Sequence, residues 1–351
     1  MNSVPIYWHS SLDDVEDDLK RVKRGKVSTL LSSAGNRPIF LVEYGCSNLP
    51  KSQASLSSAL GAGIYSCYAD RSNDNYVPTV FLAGCIHGGE FEGTVAIMNL
   101  ISLLETGKDL AGHKNDALLS VAEGLHLLLI PISNPDGRSH VPLDSFVGRT
   151  FYDLRYYNQG TWKNGELCGW PECKMKHPIK EHVDRLGGYF NDDGINMMHD
   201  DFFGDPCNEV KNILRICRDH APDFSILLHG GDNTKNTFYP INYITGDARR
   251  EIRHVGTLCK ERFNQNGYEF VVNDGQTSLM KEDTEQPSFN LTSAMFHTCG
   301  APCTTYESNQ GLSDRGNYVL DHPSIYNCHM LLFEVVFNRV LVNQKTEKNS
   351  N

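Results

Sequence analysis

Basic residues are in deficit in this chain of 351 residues: 32 Lys and Arg face 43 Asp and Glu, leaving a formal net charge of −11. Nucleic acid and anionic membrane surfaces are drawn to basic patches, so neither is expected as a partner. Long hydrophobic runs are missing as well, and without a stretch of about 18 apolar residues no membrane span is expected. The amino-terminal stretch lacks an apolar leader core, because residues 11–20 are acidic where that core would stand. The 11 cysteines are odd in number and follow no regular spacing, which fits a reducing compartment better than a disulfide framework. A cytoplasmic protein is the expectation.

What is present is enough apolar material for a large core, with 40% hydrophobic and 10% aromatic residues. Leu12, Val15, Leu19 and Val22 recur at spacings of three and four, with acids early and Lys20, Arg21, Lys23 and Arg24 late, as an amphipathic helix favours. Strand-like runs follow at 39–43, 63–68, 79–83, 125–132 and 224–228, alternating with helical patterns at 93–105, 210–218 and 252–263. That rhythm implies an α/β fold with a mixed, mostly parallel twisted sheet flanked by helices on both faces. One domain is expected over 1–342, with a disordered tail at 343–351 rich in Lys, Asn, Ser and Gln. Residues 138–193 are rich in Tyr, Trp and Gly without clean periodicity and read as long loops framing a cleft, the alternative being an ordered surface excursion.

The chemistry concentrates in His87-Gly88-Gly89-Glu90, at the mouth of the apolar run Val80-Phe81-Leu82-Ala83-Gly84. A histidine and a glutamate separated by two glycines can turn back onto one ion, since glycine permits backbone angles that bulkier residues resist. Zinc takes nitrogen and oxygen ligands and, in a catalytic site, keeps one position open for water, whose pKa it lowers. His229 is the best third ligand, because it ends the strand-like Phe224-Ser225-Ile226-Leu227-Leu228 and precedes Gly230-Gly231-Asp232. Both histidines then lie where strands give way to glycine-rich loops, the edge at which α/β sheets collect ligands. Glu307, after a run of small and β-branched residues, fits a general base. His297, Cys299 and Cys303 have a spacing that matches no zinc ribbon or finger and read as core residues.

With these motifs in hand, the chain resembles the zinc metallocarboxypeptidases, the carboxypeptidase A-like hydrolases, across most of its length. Tyr7-Trp8-His9-Ser10 and Gly35-Asn36-Arg37-Pro38-Ile39 look like the family's opening, Asn134-Pro135-Asp136-Gly137 matches its Asn-Pro-Asp-Gly segment, and Gly194-Ile195-Asn196-Met197-Met198-His199 falls where it has Gly-Val-Asp-x-Asn-Arg. The resemblance implies one Zn2+ ion on His87, Glu90 and His229, with Glu307 as base and then acid. It implies Arg149 as the cation facing the substrate carbonyl, with Arg138 and Arg155 as rivals, and it brings Asn134, Arg138 and His199 to the substrate. Asn196 stands for the aspartate that orients the first zinc histidine, as a neutral acceptor.

Two departures bear on substrate choice. Met198-His199 replaces Asn-Arg, the arginine of which grips a terminal carboxylate as a bidentate fork, and no tyrosine lies between Tyr268 and Tyr306, where many members carry a substrate-contacting one. The expected activity is hydrolysis of a peptide or peptide-like amide by a metal-activated water, carboxypeptidase-like with an atypical carboxylate site. The alternatives are an N-acyl amino acid deacylase similar to aspartoacylase and succinylglutamate desuccinylase, and a zinc-binding pseudoenzyme.

Overall fold

Three largely apolar runs, β3 (Thr79–Gly84), β4 (His126–Ile130) and β7 (Phe224–Gly230), are buried at every position. Strands covered on both faces lose the alternation of polar and apolar residues, and they are the usual material of parallel sheets between helices. In the computed structural model, which describes residues 4–239, 241–272 and 288–350, they pair in parallel with one another and with β10 (Cys303–Ser308) in the order β4-β3-β7-β10. Antiparallel strands widen the sheet on both sides, β1 (Lys26–Thr29) and β2 (Phe40–Tyr44) beyond β4, and β8 (Thr237–Tyr239) beyond β10. The short β9 (Val271–Val272) closes an eight-stranded order β1-β2-β4-β3-β7-β10-β8-β9.

Helices cover both faces. On one, α3 (Glu92–Thr106), α4 (Asp116–Ala122), α8 (Gly246–Gln265) and α10 (His322–Ser350) form a connected layer; on the other, α7 (Asn208–His220) packs with α9 (Leu291–Cys299). The predicted first helix is α1 (Leu12–Leu19), where Ser11 caps the start by accepting from the Asp14 N–H and Asp13 and Asp14 complement the helix dipole. At the end of α3, Gly107 takes φ 74, the left-handed conformation that glycine supplies cheaply at a helix terminus.

Several expectations change at the level of elements. Residues 63–68 are not a strand: α2 (Leu56–Gly61) leads through Gly63, at φ 70, into a 3-10 turn at Tyr65–Cys67. Residues 343–350, expected as a loose tail, continue α10. Asn343 there donates to Glu251 Oε1 at 2.9 Å, and the Gln344 amide reaches the Tyr76 carbonyl. The window His322–Gln344 is long and apolar enough by composition to cross a membrane, contrary to the sequence reading, and half of it is buried in the fold. Its apolar residues include Cys328, Leu332, Phe333, Val336 and Phe337, all fully enclosed in the main core.

Residues 138–193 are also more structured than loops. They contain the end of α5 (Pro135–His140), α6 (Phe151–Leu154), a π-helical turn at Arg155–Gln159, and an antiparallel ribbon of β5 (Gly160–Trp162) and β6 (Val183–Leu186). A satellite core of Cys168, Cys173, Ile179, Val183 and Phe190 holds this layer together. All eleven cysteines carry free thiols.

Candidate metal centre and cleft

β3 ends at Gly84, and Cys85 turns the chain with φ 50. The turn is fixed from the next segment, where the N–H groups of Ser133 and Asn134 donate to the carbonyls of Gly84 and Cys85, each at 3.0 Å. The loop then folds so that the Glu90 N–H donates to the His87 carbonyl at 3.0 Å. Gly88 and Gly89 are needed for space, not for unusual backbone angles: neither has positive φ. A Cβ on Gly88 would stand 1.9 Å from the Gly137 carbonyl carbon, and one on Gly89 would stand 2.7 Å from Asn158 Oδ1.

This turn places Glu90 between two imidazoles. Its Oε1 lies 2.7 Å from His87 Nδ1 and its Oε2 lies 2.7 Å from His229 Nδ1. All three residues are buried, and one ligand atom from each falls within 4.8 Å of the others. Burial works to neutralise the Glu90 carboxylate, but His87 and His229 outweigh it and hold the group ionised, well below the usual carboxylate range. His229 comes from β7, and its partner across the parallel ladder is Glu307 of β10. Glu307 therefore sits within its strand, not after it, at the carboxyl edge of the sheet. Burial raises its pKa to about 7, with His229 opposing and Glu90 adding to the rise.

The polar atoms of this group fit a divalent ion. Both Glu90 oxygens face imidazole Nδ1 atoms, and Glu307 Oε2 nearby is enclosed without a hydrogen-bond partner among the described residues, a costly state for a buried polar atom. Two imidazole nitrogens and one carboxylate converging on one point are a donor set that suits zinc. Behind them, Asn196 Oδ1 lies 3.3 Å from His87 Nε2 and accepts from the Met198 N–H at 3.0 Å. The Tyr189 ring stacks on His87 with centroids 3.9 Å apart, a neighbour the sequence reading did not single out.

A cleft of about 620 Å³ opens over this centre, reaching His87, His229, Glu307 and His199. Burial, followed by the charge of Lys174, pushes the His199 pKa down to about 3, so His199 faces the cleft as a neutral ring. Arg155 and Lys174 also line it. Arg155 donates to Gln159 Oε1 and to the Cys168 carbonyl, each at 3.3 Å, and the Lys174 Nζ sits 3.5 Å from the centroid of the Trp170 ring. Neither cation forms an ion pair among the described residues, whereas the third cleft cation, Arg315, is matched by Asp232 at 2.7 Å.

Three of the expected substrate-facing residues lie elsewhere. Arg149 is outside the cleft lining, and its carbonyl accepts from both the N–H and the hydroxyl of Ser313; Arg155 occupies the cleft instead. Arg138 is buried and committed to the Ser10 and Val141 carbonyls and to Asp144, with its guanidinium over Phe91. Asn134 caps α5, accepting from the Gly137 N–H at 2.8 Å and donating to the Ile86 carbonyl at 3.3 Å. The Asn-Pro-Asp-Gly segment is thus a structural clamp, in which Asp136 also gathers Ser33, Gly35, Arg37 and the Asp192 N–H. His297, Cys299 and Cys303 form no metal-binding group among the described residues. Of the interval between Tyr268 and Tyr306, residues 273–287 lie outside the described residues.

No protein-family model matches the sequence, and comparison with curated proteins finds no match. Solved structures do match. A metallo-carboxypeptidase from Burkholderia cenocepacia aligns over 95% of this chain and 70% of its own, with a TM-score of 0.59 and 15% identity. One from Pseudomonas aeruginosa, in complex with (2-guanidinoethylmercapto)succinic acid, covers 95% and 69%, with a TM-score of 0.56 and 13% identity. The carboxypeptidase A of Helicoverpa armigera covers 97% and 76%, with a TM-score of 0.53 and 13% identity. Identities this low speak for architecture alone, and on that ground the chain has the zinc metallocarboxypeptidase fold.

Proposed function

We propose that this protein is a zinc-dependent hydrolase that cleaves a peptide or peptide-like amide bond next to a free carboxylate. The observation that carries this reading is the convergence of His87, Glu90 and His229 beside Glu307, which the β7–β10 ladder holds in register with His229. His87, Glu90 and His229 would hold the ion. When bound, zinc supplies Lewis-acid polarisation of a carbonyl and a water acidic enough to react near neutral pH.

The remaining work falls to the side chains of the cleft. Glu307 Oε2 takes the proton of the attacking water and returns it to the leaving nitrogen, a role for which a carboxyl with a pKa raised to about 7 is suited. Asn196 fixes the His87 ring by accepting from its Nε2, and Tyr189 excludes water from one face of it. The two unpaired cations divide the negative charge of the substrate. Arg155 faces the scissile carbonyl, where a fixed cation stabilises the developing oxyanion. Lys174, whose charge is felt at His199, takes the terminal carboxylate in place of the missing arginine. A reducing, cytoplasmic setting is part of the same proposal, resting on the odd number and irregular spacing of the cysteines.

The test is amine release by zinc-loaded protein from peptides with a free carboxyl terminus, the same peptides amidated, and a set of N-acyl amino acids. Cleavage confined to the free-carboxyl peptides is expected. Equal turnover of the amidated series would remove the exopeptidase reading, and turnover of N-acyl amino acids alone would make the enzyme a deacylase. Glu307→Gln is expected to lose at least about 100-fold in kcat at unchanged zinc content. Full activity in that variant would sink the mechanism.

A further inference from the structure

A second convergence of metal-binding side chains lies at the opposite edge of the sheet, among residues that the proposed hydrolysis does not use. Glu43 of β2, His126 at the start of β4 and His220 at the end of α7 each bring a ligand atom within 4.8 Å of the other two. His126 pairs with Thr79, the first residue of β3, whereas His87 follows the other end of that strand. At about 3.3 Å per residue, the length of β3 puts roughly 20 Å between the two groups.

The local bonding fits a ligand site. His126 is 1% exposed, with Nε2 2.9 Å from Glu43 Oε1 and Nδ1 3.0 Å from Thr79 Oγ1. His126 thus bridges the threonine hydroxyl and the carboxylate, and in the tautomer whose Nδ1–H donates to the hydroxyl its Nε2 lone pair is available to a cation shared with Glu43 Oε1. Holding one ring nitrogen from behind so that the other is free is the arrangement ligating histidines use. The His220 ring lies 5.6 Å from that of His126 and makes no hydrogen bond among the described residues. The cation now nearest Glu43 is Lys26, with Nζ 3.6 Å from Oε2 on a side chain 76% exposed, so it is weakly held and free to swing away. Glu43 and His220 are both only half-buried, which leaves a route for an ion to enter.

We infer that Glu43, His126 and His220 form a second divalent-metal site, of the class that zinc occupies, which ties the end of α7 to strands β2 and β4. Two imidazoles and one carboxylate from three separate elements are a donor set for a borderline ion, with water completing the shell. Because no ligand lies near the cleft, this ion is structural.

The experiment is to count zinc bound per chain by elemental analysis after equilibration in zinc-buffered solution, for the full chain and for His220→Ala, Glu43→Gln and His87→Ala. Two ions are expected in the unaltered protein and one in each variant. In addition, zinc should raise the melting temperature of His87→Ala but not of His87→Ala combined with Glu43→Gln. One ion in the unaltered protein that survives His220→Ala and Glu43→Gln would overturn the second site. One ion lost in those two variants and kept in His87→Ala would instead uphold it and remove the proposed catalytic centre. Glu43→Gln keeps the shape of the side chain and so separates loss of a ligand from loss of the fold.

Discussion

Gly231 has no side chain because Glu307 fills the space one would take: a Cβ there would stand 2.5 Å from Glu307 Oε2. The carboxylate is the movable partner, so Gly231→Ala is expected to displace it and cost at least about 10-fold in kcat/KM. The accompanying loss of stability stays within the roughly 1–3 kcal/mol of an overpacked site. Rate assays set beside a melting curve would check this, and a variant that melts normally and turns over normally would mean Glu307 has room to spare. Lys174→Ala tests the other end of the substrate. Its KM for free-carboxyl peptides should rise about 10-fold or more with kcat little changed. Residues of this kind were unevenly legible. The convergence of His87, Glu90 and His229 beside Glu307 could be read because ligand type, spacing and chain order all pointed one way. Arg149 could not, because counting along 138–193 does not reveal which of several arginines a turn directs inward. Lys174 carried no signal, since an isolated lysine in a polar stretch looks like any solvated one.

At the level of elements, the end of α10 is held by an ion pair to α8. Arg339 Nε and Nη2 each donate to Glu251 at 2.8 Å, and Asn343 adds a third donor. Burial raises the Glu251 pKa, but Arg339 and Asn343 prevail and bring it below the ordinary value. A carboxylate depressed in the folded state contributes stability above its unfolded pKa of about 4.3, and that contribution is lost as pH falls through the folded value. Glu251→Gln should therefore be about 1 kcal/mol less stable at pH 7, with the gap closing in acid below about pH 4. Denaturant unfolding at several pH values would show it, and a gap that persists at pH 3 would assign the effect to packing. The pair also explains why the polar end of the chain was misread. Lys, Gln, Glu and Asn are compatible with helix as well as with disorder, and the choice was made by a partner 92 residues away along the chain. The apolar window of α10 was missed for a related reason: its His, Asn and Glu interrupt any plain run of apolar residues while the average stays high.

For the whole molecule, the alternation of strands and helices was sufficient to read a mixed α/β sheet, since burial on two faces leaves a mark on each strand separately. The order β1-β2-β4-β3-β7-β10-β8-β9 was not readable that way, because it depends on crossovers that no local period encodes. The consequence of that order is that β3, β7 and β10 lie side by side, which brings together residues 87, 229 and 307. An ion bound there joins distant parts of the chain, so its removal should be felt globally. In Glu43→Gln, which leaves this ion alone, chelation at free zinc about 100 times the dissociation constant is expected to lower the unfolding free energy by about 3 kcal/mol. Chemical denaturation with and without chelator measures the difference, and an unchanged midpoint would argue against a preformed site.

The separate small core under residues 138–193 has an implication for heredity. The candidate metal ligands and Glu307 sit on the sheet or on the turn leaving it, while Arg155, Lys174 and Trp170 belong to a layer that packs around its own Cys168, Ile179 and Phe190. Mutations that reshape this layer can change which molecule is admitted and leave the reacting groups where they are. On the proposed function, a lineage carrying this fold can thus acquire new diets one surface exchange at a time, without passing through forms that have lost the reaction.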